Sequence, residues 1–349
     1  MMRRLVGLAR LPMIIPPIIP PIIYGIIAAF LLSACASGPA QQPRPELVTT
    51  PETLLQRGIK DFKENDLVEA NRNFEQALLL YRSIDDPEGI MQSCLNLAKL
   101  NTVVSNHERA AIYLERAEQT ARANTLPGYD QHIAILRSSL LIRQGETATA
   151  ADMLTQALES GDSTIRLAAL KNRTVIAFSG KGTDRTQWLQ RYRNENAAAG
   201  NRPSHRARIL RFDAELADDP DVQRSLLKQA LAISRQATDS LAIAATLTQW
   251  GDMITGGAMI MGGDVALTGD DLKAAEDLYL RALFIRHQFG DPVNTSRLLE
   301  KLQVVYTRMD SDNRSATRLD RTHYWLNRIG QDQLADWPQL MADFDYYPD

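Results

Sequence analysis

Cysteine and aromatic residues are scarce in this chain. Its 349 residues include two cysteines, and only 6% are aromatic. Cys35 lies at the end of an N-terminal leader and Cys94 lies far inside the chain, so we expect neither an internal disulfide nor a metal cage of thiolates. The sequence is 44% apolar, which is enough to fold. Its richness in alanine and leucine favours packed helices over β-sheets.

An excess of positive charge is also missing. The formal net charge is −3, and Arg3, Arg4 and Arg10 lie in a segment that we expect to be removed, so the mature chain is more acidic. Proteins that bind nucleic acid usually carry a basic patch or stripe. The sequence has no such footprint, and nucleic acid is not an expected partner.

Motifs for catalysis and cofactor binding are absent from the sequence. The five histidines include no pair at i, i+4 and no H-E-x-x-H, and neither an EF-hand pattern nor G-x-S-x-G occurs. Ser179–Thr183 resembles a phosphate loop, but its lysine precedes the second glycine, and we interpret it as a turn that ends a helix. We therefore expect no metal, no cofactor and no enzyme activity.

Residues 1–35 are typical of a cleaved leader. Arginines precede an apolar run from Leu11 to Leu32, which is long enough to span a membrane. Five prolines interrupt the run, and each removes a backbone donor and clashes with the preceding helical turn, which argues against a transmembrane helix. The segment ends in Leu32-Ser33-Ala34-Cys35, and small residues before a cleavage site are the general secretory signal.

These four residues resemble a bacterial lipobox. The resemblance implies that Cys35 is lipidated and that Ala36, which is not aspartate, directs the protein to the outer membrane, where it faces the periplasm. Lipid chains would hold it at the membrane surface, and residues 36–51, rich in proline and small residues, would form a flexible tether. A plain signal peptide and an uncleaved anchor are the alternatives.

Self-similarity at a spacing of 40 residues dominates the remaining chain. Ala70, Ala110 and Ala150 share one register. Further registers hold Ala77, Ala117 and Ala157; Gly58, Ala98 and Ser138; Phe74, Leu114 and Leu154; and the turn pairs Asn65-Asp66, Ser105-Asn106 and Gly145-Glu146. A fixed period of this kind indicates a solenoid of helical hairpins. The small residues let neighbouring helices approach closely, while Phe74 fills the space beside them.

The spacing of alanine and an aromatic or leucine residue resembles the tetratricopeptide repeat, whose second helix carries A-x3-F. Ala70, Ala110, Ala150 and Ala275 begin such a pattern. The usual period of the family is about 34 residues, so the chain resembles the long-repeat type, and the tryptophan and tyrosine of the family's first helix are missing. The resemblance implies an all-α solenoid of about seven hairpins that forms a curved, right-handed superhelix.

The repeats suggest the following organisation. Residues 52–200 form an N-terminal block of hairpins and 201–330 a C-terminal block, and Asn194–Pro203 is either a hinge or part of a continuous stack. Residues 255–269 form a glycine-flanked loop in the sixth hairpin, which binds a partner or packs back on the solenoid. The aromatic, acidic tail 331–349 either caps the last hairpin or serves as a docking peptide.

Tetratricopeptide proteins line their concave groove with the first helix of each hairpin. Carried over by register, the groove positions here include Phe62, Lys63, Gln92, Lys99, His132 and Arg143. Lys63, Lys99 and Arg143 are candidates for gripping a carboxylate at the end of a peptide, although a charged helix face is often merely solvated. Cys94 is expected to be a small buried hydrophobe rather than a reactive thiol.

Together these features predict a lipid-anchored interaction scaffold of the bacterial envelope, which binds envelope proteins or peptides and assists the assembly or recruitment of a complex. An envelope enzyme or small-ligand receptor built on an α-solenoid is the alternative. A third possibility is a structural subunit whose groove is filled by its own tail or by a second copy. The sequence does not indicate the oligomeric state.

Overall fold

The computed structural model describes residues 49–180, 184–256, 267–309, 313–330 and 337–344. Within these residues all regular structure is helical, and no strand occurs. The predicted leader, the lipidation site Cys35 and most of the tether lie outside them, as do residues 257–266 of the predicted loop and parts of the tail. The described residues from Thr50 onward belong to one compact unit.

Sixteen helices follow one another along the described residues. They are α1 (Pro51–Lys63), α2 (Leu67–Ser83), α3 (Pro87–Val103), α4 (His107–Ala123), α5 (Asp130–Gln144), α6 (Thr147–Met153), α7 (Thr155–Leu158), α8 (Ser163–Ser179), α9 (Arg185–Ala198), α10 (Pro203–Leu216), α11 (Pro220–Gln236), α12 (Ser240–Ile254), α13 (Gly269–Gln288), α14 (Pro292–Arg308), α15 (Asn313–Gly330) and α16 (Trp337–Asp343).

These helices pack as seven hairpins in the described part of the chain: α1–α2, α3–α4, α5 with α6 and α7, α8–α9, α10–α11, α12–α13 and α14–α15. The second helix of each hairpin also packs on the first helix of the next. The predicted all-α solenoid of about seven hairpins is therefore confirmed.

The turns of the first three hairpins recur at a constant spacing. Left-handed backbone occurs every 20 residues, at Asn65, Asp85, Ser105, Thr125 and Gly145. After each, a backbone amide donates to the carbonyl five residues earlier, as in Asp66 N to Asp61 O (2.9 Å) and Asn106 N to Asn101 O (2.8 Å). This is the Schellman arrangement that satisfies the last carbonyls of a helix. One helix with its turn occupies 20 residues, and two of them make the repeat of 40.

Small side chains lie where helices approach most closely. Ala70, Ala110 and Ala150 are completely buried, as predicted. A Cβ atom at Gly58 of α1 would lie 2.6 Å from the ring of Phe74 on α2, so only glycine admits the ring there. The sequence prediction that small residues and Phe74 set the helix spacing is confirmed.

Cys94 lies in the core of the first three hairpins. Its side chain is completely buried and forms no disulfide. Burial raises the pKa of the Cys94 thiol to about 11. Since the thiolate is the nucleophile, such a thiol is inert. The prediction of a small buried hydrophobe is confirmed.

The helices keep packing on one another across Asn194–Pro203. The Tyr192 hydroxyl on α9 lies 2.6 Å from His205 Nδ1 on α10. Arg193 forms an ion pair with Asp213, also across the α9–α10 turn. These contacts make the stack continuous at this segment.

The described part of the C-terminal tail covers the last hairpin. Leu340 and Phe344 are fully buried in the same core cluster as Tyr306 and Trp325. Trp325 Nε1 donates to Asp343 Oδ2 (2.9 Å). Residues 337–344 thus act as the expected cap, which an exposed last solenoid unit needs, and they do not enter the groove.

Candidate ligand-binding groove

The early and late hairpins of the solenoid touch each other. Asn65 Nδ2, in the α1–α2 turn, donates to Ser240 Oγ at the start of α12 (2.9 Å). Ser105 Oγ, in the α3–α4 turn, donates to Asp291 Oδ1, which caps α14 (3.1 Å). These residues are 175 and 186 positions apart in sequence. The stack therefore turns far enough to bring its turns together, and part of its inner groove is enclosed.

The inner groove contains a partly open cavity of about 680 Å³. Its walls are the first helices of five successive hairpins, α1, α3, α5, α8 and α10, together with the cap residue of α12. The residues that line this cavity include Leu55, Ile59, Gln92, Leu95, Lys99, His132, Ile135, Leu136, Ile165, Lys171, His205, Arg208 and Asp239.

An apolar strip crosses the first three hairpins inside this cavity. Leu55, Leu95 and Ile135 line it at intervals of 40 residues. The repeat therefore places equivalent side chains side by side on the inner surface. Leu136 and Ile165 extend the same apolar wall.

Three cations face the cavity from three different helices. Lys99 lies on α3, Lys171 on α8 and Arg208 on α10. The salt bridges of the described residues include none of the three. Lys99 Nζ lies 4.6 Å from the centre of the Phe62 ring, a cation–π contact. Asp239 is the one carboxylate among the lining residues described, and its Oδ1 accepts from Ala242 N at the start of α12 (3.0 Å).

Lysine and arginine outnumber carboxylates three to one among the lining residues described. Burial, followed by the charges of Arg208, Lys99 and Arg143, lowers the pKa of Lys171 to about 7. Burial and the charges of Lys171 and Arg208 lower the pKa of His205 to about 4. Each cation thus disfavours the protonation of its neighbours, as expected for like charges in a poorly solvated site.

The groove continues beyond Lys99 into a second cavity of about 530 Å³. Phe62, Lys63 and Phe289 line this second cavity, and Lys99, Ser204 and Asp239 line both. The two cavities are therefore adjacent parts of one inner groove.

Five of the six predicted groove residues line these cavities. Gln92, Lys99 and His132 line the first, and Phe62, Lys63 and Lys99 line the second. Arg143 lines neither of them. It lies in the last turn of α5, where burial lowers its pKa and the charge of Asp291 opposes that effect. Their role in binding a partner stays a prediction.

Sequence reasoning missed Lys171 and Arg208. Both lie in hairpins whose match to the repeat is weak, so no register carried them to the groove. A usable signal existed nonetheless, because Lys171 directly follows the buried, apolar stretch that ends at Leu170 on the first helix of its hairpin. Charged residues are seldom placed among buried ones without a partner, so a lysine at this position was a candidate for a ligand-facing side chain.

No model of a known protein family matches the sequence, and no curated protein is significantly similar to it. Across the part of the chain that the structure describes, no helix is both long and apolar enough to cross a membrane. Nor do three or more potential metal ligands come together among those residues.

Proposed function

We propose that the protein is a lipid-anchored interaction scaffold of the bacterial cell envelope. In this proposal, lipid on Cys35 holds the chain at the outer membrane, residues 36–51 serve as a tether, and the inner groove holds an extended segment of an envelope protein. The protein would thereby assist the assembly or recruitment of an envelope complex, without a catalytic role.

The observation that carries this proposal is the character of the inner surface. It combines the apolar strip of Leu55, Leu95 and Ile135 with cations that have no carboxylate partner. Ile59, Leu95 and Leu136 are partly exposed in the groove, and both apolar area in water and charges without a partner cost free energy. A bound segment with apolar and acidic side chains would relieve both costs. Solenoid proteins commonly use such concave surfaces for binding.

Affinity capture tests this function directly. The full chain would be purified from a detergent extract of envelopes beside the variants Lys99→Glu and Lys273→Glu. Lys99 faces both cavities, whereas Lys273 is exposed on α13 and lines neither. We expect one defined partner with the wild type and with Lys273→Glu, and its loss with Lys99→Glu. Recovery of the chain alone from all three preparations would contradict the scaffold function.

The anchor is tested separately. We expect Cys35→Ser to release the protein from the membrane fraction, because lipid on Cys35 is the proposed attachment. Retention of this variant in the membrane fraction would favour an uncleaved anchor.

A second candidate function is a small-ligand receptor, and the enclosure of the groove favours it. The contacts Asn65–Ser240 and Ser105–Asp291 bring opposite ends of the stack together around a cavity of about 680 Å³. Ligand pockets typically measure about 300–1,000 Å³. A ligand that binds only the folded state raises its stability. We therefore expect a low-molecular-weight envelope extract to raise the melting temperature, and no shift with any such extract would contradict this function.

A further inference from the structure

We propose that the partly open cavity binds a small organic phosphate, whose phosphate group lies among Lys99, Lys171 and Arg208 and whose apolar body lies against Leu55, Ile59 and Leu136. This inference rests on the receptor function proposed above, and it names the chemical class of the ligand.

The number of cations argues for a multiply charged group. Burial and the charges of Arg208 and Lys99 lower the pKa of Lys171 to about 7, so Lys171 is about half protonated at neutral pH and a bound anion would favour its charged form. A single carboxylate would neutralise one of them, whereas a phosphate monoester carries about −1.5 to −2 charges and three strong acceptor oxygens. Lysine and arginine are the usual residues that hold phosphate.

Asp239 and His205, which also line the cavity, already have hydrogen-bond partners. Asp239 Oδ1 accepts from the backbone at the start of α12. His205 Nδ1 lies 2.6 Å from the Tyr192 hydroxyl, and its lowered pKa of about 4 leaves it neutral at physiological pH. The positive charge of the cavity therefore comes from lysine and arginine, and these three cations outnumber Asp239, the one carboxylate among the lining residues described.

The apolar wall argues for an organic body rather than a free ion. Leu55, Ile59 and Leu136 line the cavity from α1 and α5. A cavity of about 680 Å³ is far larger than inorganic phosphate requires. Leu55 is already buried, whereas Ile59 and Leu136 are partly exposed. An apolar body would remove the exposed parts of Ile59 and Leu136 from water and add to the affinity.

The probe we choose is 1-naphthyl phosphate, because it is soluble and combines both features. It would be titrated calorimetrically into the full chain in neutral detergent, beside 1-naphthoate, which carries one charge, and inorganic phosphate, which lacks the apolar body. We expect 1-naphthyl phosphate to bind about tenfold tighter than either, since hydrogen bonds to charged groups contribute this much or more.

Variants assign the binding to the three cations. We expect Lys171→Met and Arg208→Gln each to weaken 1-naphthyl phosphate binding about tenfold or more. Lys273→Met removes an exposed lysine of α13 and is expected to leave binding unchanged. Circular dichroism would show whether each variant is folded. If Lys171→Met does not fold, Arg208→Gln still tests the inference.

Three outcomes would overturn the inference. The folded wild type could fail to bind 1-naphthyl phosphate at millimolar concentration, or it could bind 1-naphthoate with equal affinity. The third outcome is that Lys273→Met weakens binding as much as Lys171→Met and Arg208→Gln do. Envelope extract that still raises the melting temperature would then preserve the receptor function with a different ligand. A captured partner protein that Lys99→Glu releases, without any binding of 1-naphthyl phosphate, would instead assign the cavity to a protein segment.

Discussion

The first three hairpins and the two that follow are built in different ways. One apolar cluster runs from Leu54 to Leu140, through the first two hairpins and the first helix of the third, and turns recur every 20 residues in this region. Around α8 to α10 the apolar clusters are small, and one of them contains only five buried residues. Polar contacts also join the helices there, such as the bond from Arg166 Nη2 to Glu195 Oε1 (2.9 Å). The first three hairpins, the regular region, repeat with a constant spacing. The fourth and fifth hairpins, the irregular region, carry two of the three cavity cations, Lys171 and Arg208.

The largest effect is expected in the regular region. Phe74→Ala would remove a fully buried ring that rests on Gly58 and should lower the free energy of unfolding by about 3–5 kcal/mol. Leu79 of the same helix is 67% exposed, so Leu79→Ala serves as the control and should cost less than about 0.5 kcal/mol. Urea unfolding measures both, and similar losses would show that the inferred packing of α1 on α2 is wrong.

In the irregular region a buried polar contact is expected to stabilise the fold, as the ring of Phe74 does in the regular region. Asn172 on α8 is buried, and its Nδ2 donates to Ile135 O (3.0 Å) and Ser138 Oγ (2.8 Å) on α5. Asn172→Ala would remove both bonds and should cost about 1–3 kcal/mol, at about 0.5–1.5 kcal/mol for each bond. The melting temperature measures the loss. A variant as stable as the wild type would mean that apolar contacts alone join the third and fourth hairpins.

The charge in the cavity predicts a dependence of stability on pH. Since the pKa of Lys171 is about 7 in the folded chain and about 10.4 when unfolded, the unfolded state binds more protons between these values, and stability rises with pH there. Below pH 7 Lys171 is charged in the folded state as well, and the burial of this charge destabilises the wild type. We therefore expect Lys171→Met to be more stable than the wild type, most strongly at pH 6, with an advantage that shrinks toward pH 10.

The neighbours of Lys171 are Lys99, Arg143, Arg208 and His205, so the difference between variant and wild type is the quantity to follow. Because Lys171 keeps contact with solvent, the change should amount to about 1–2 kcal/mol. Chemical unfolding at pH 6, 8 and 9.5 measures it. A difference that does not vary with pH would contradict the lowered pKa.

The smallest effect is expected at a turn. The carboxylate of Asp66 accepts from Glu69 N (3.1 Å) and caps α2, whereas Glu146, at the equivalent turn of the third hairpin, makes no such side-chain bond. Asp66→Ala should cost about 1 kcal/mol, and Glu146→Ala should cost much less. Thermal unfolding compares the two, and equal losses would show that the capping bond of Asp66 contributes nothing.

Local patterns made the hairpins predictable, and distant contacts did not. The buried positions Ala70, Ala110 and Ala150 and the turn at Asn65-Asp66 follow from residues near one another in the chain. The contact of Asn65 with Ser240 depends on rotations that accumulate over five hairpins, each set by the packing of a particular interface. The position of Lys99 in the same cavity as Lys171 and Arg208 depends on the same accumulated rotations. The sequence therefore predicted much of the groove's first half and little of its second.

The even 20-residue spacing of the early turns has a consequence for how this chain can change in length. A duplication or deletion of two successive helices would keep every remaining turn in phase, so the altered stack should still fold. The same event would shift Ser240 by one whole step along the spiral, away from Asn65. The number of hairpins therefore decides whether the contact between Asn65 and Ser240 can form.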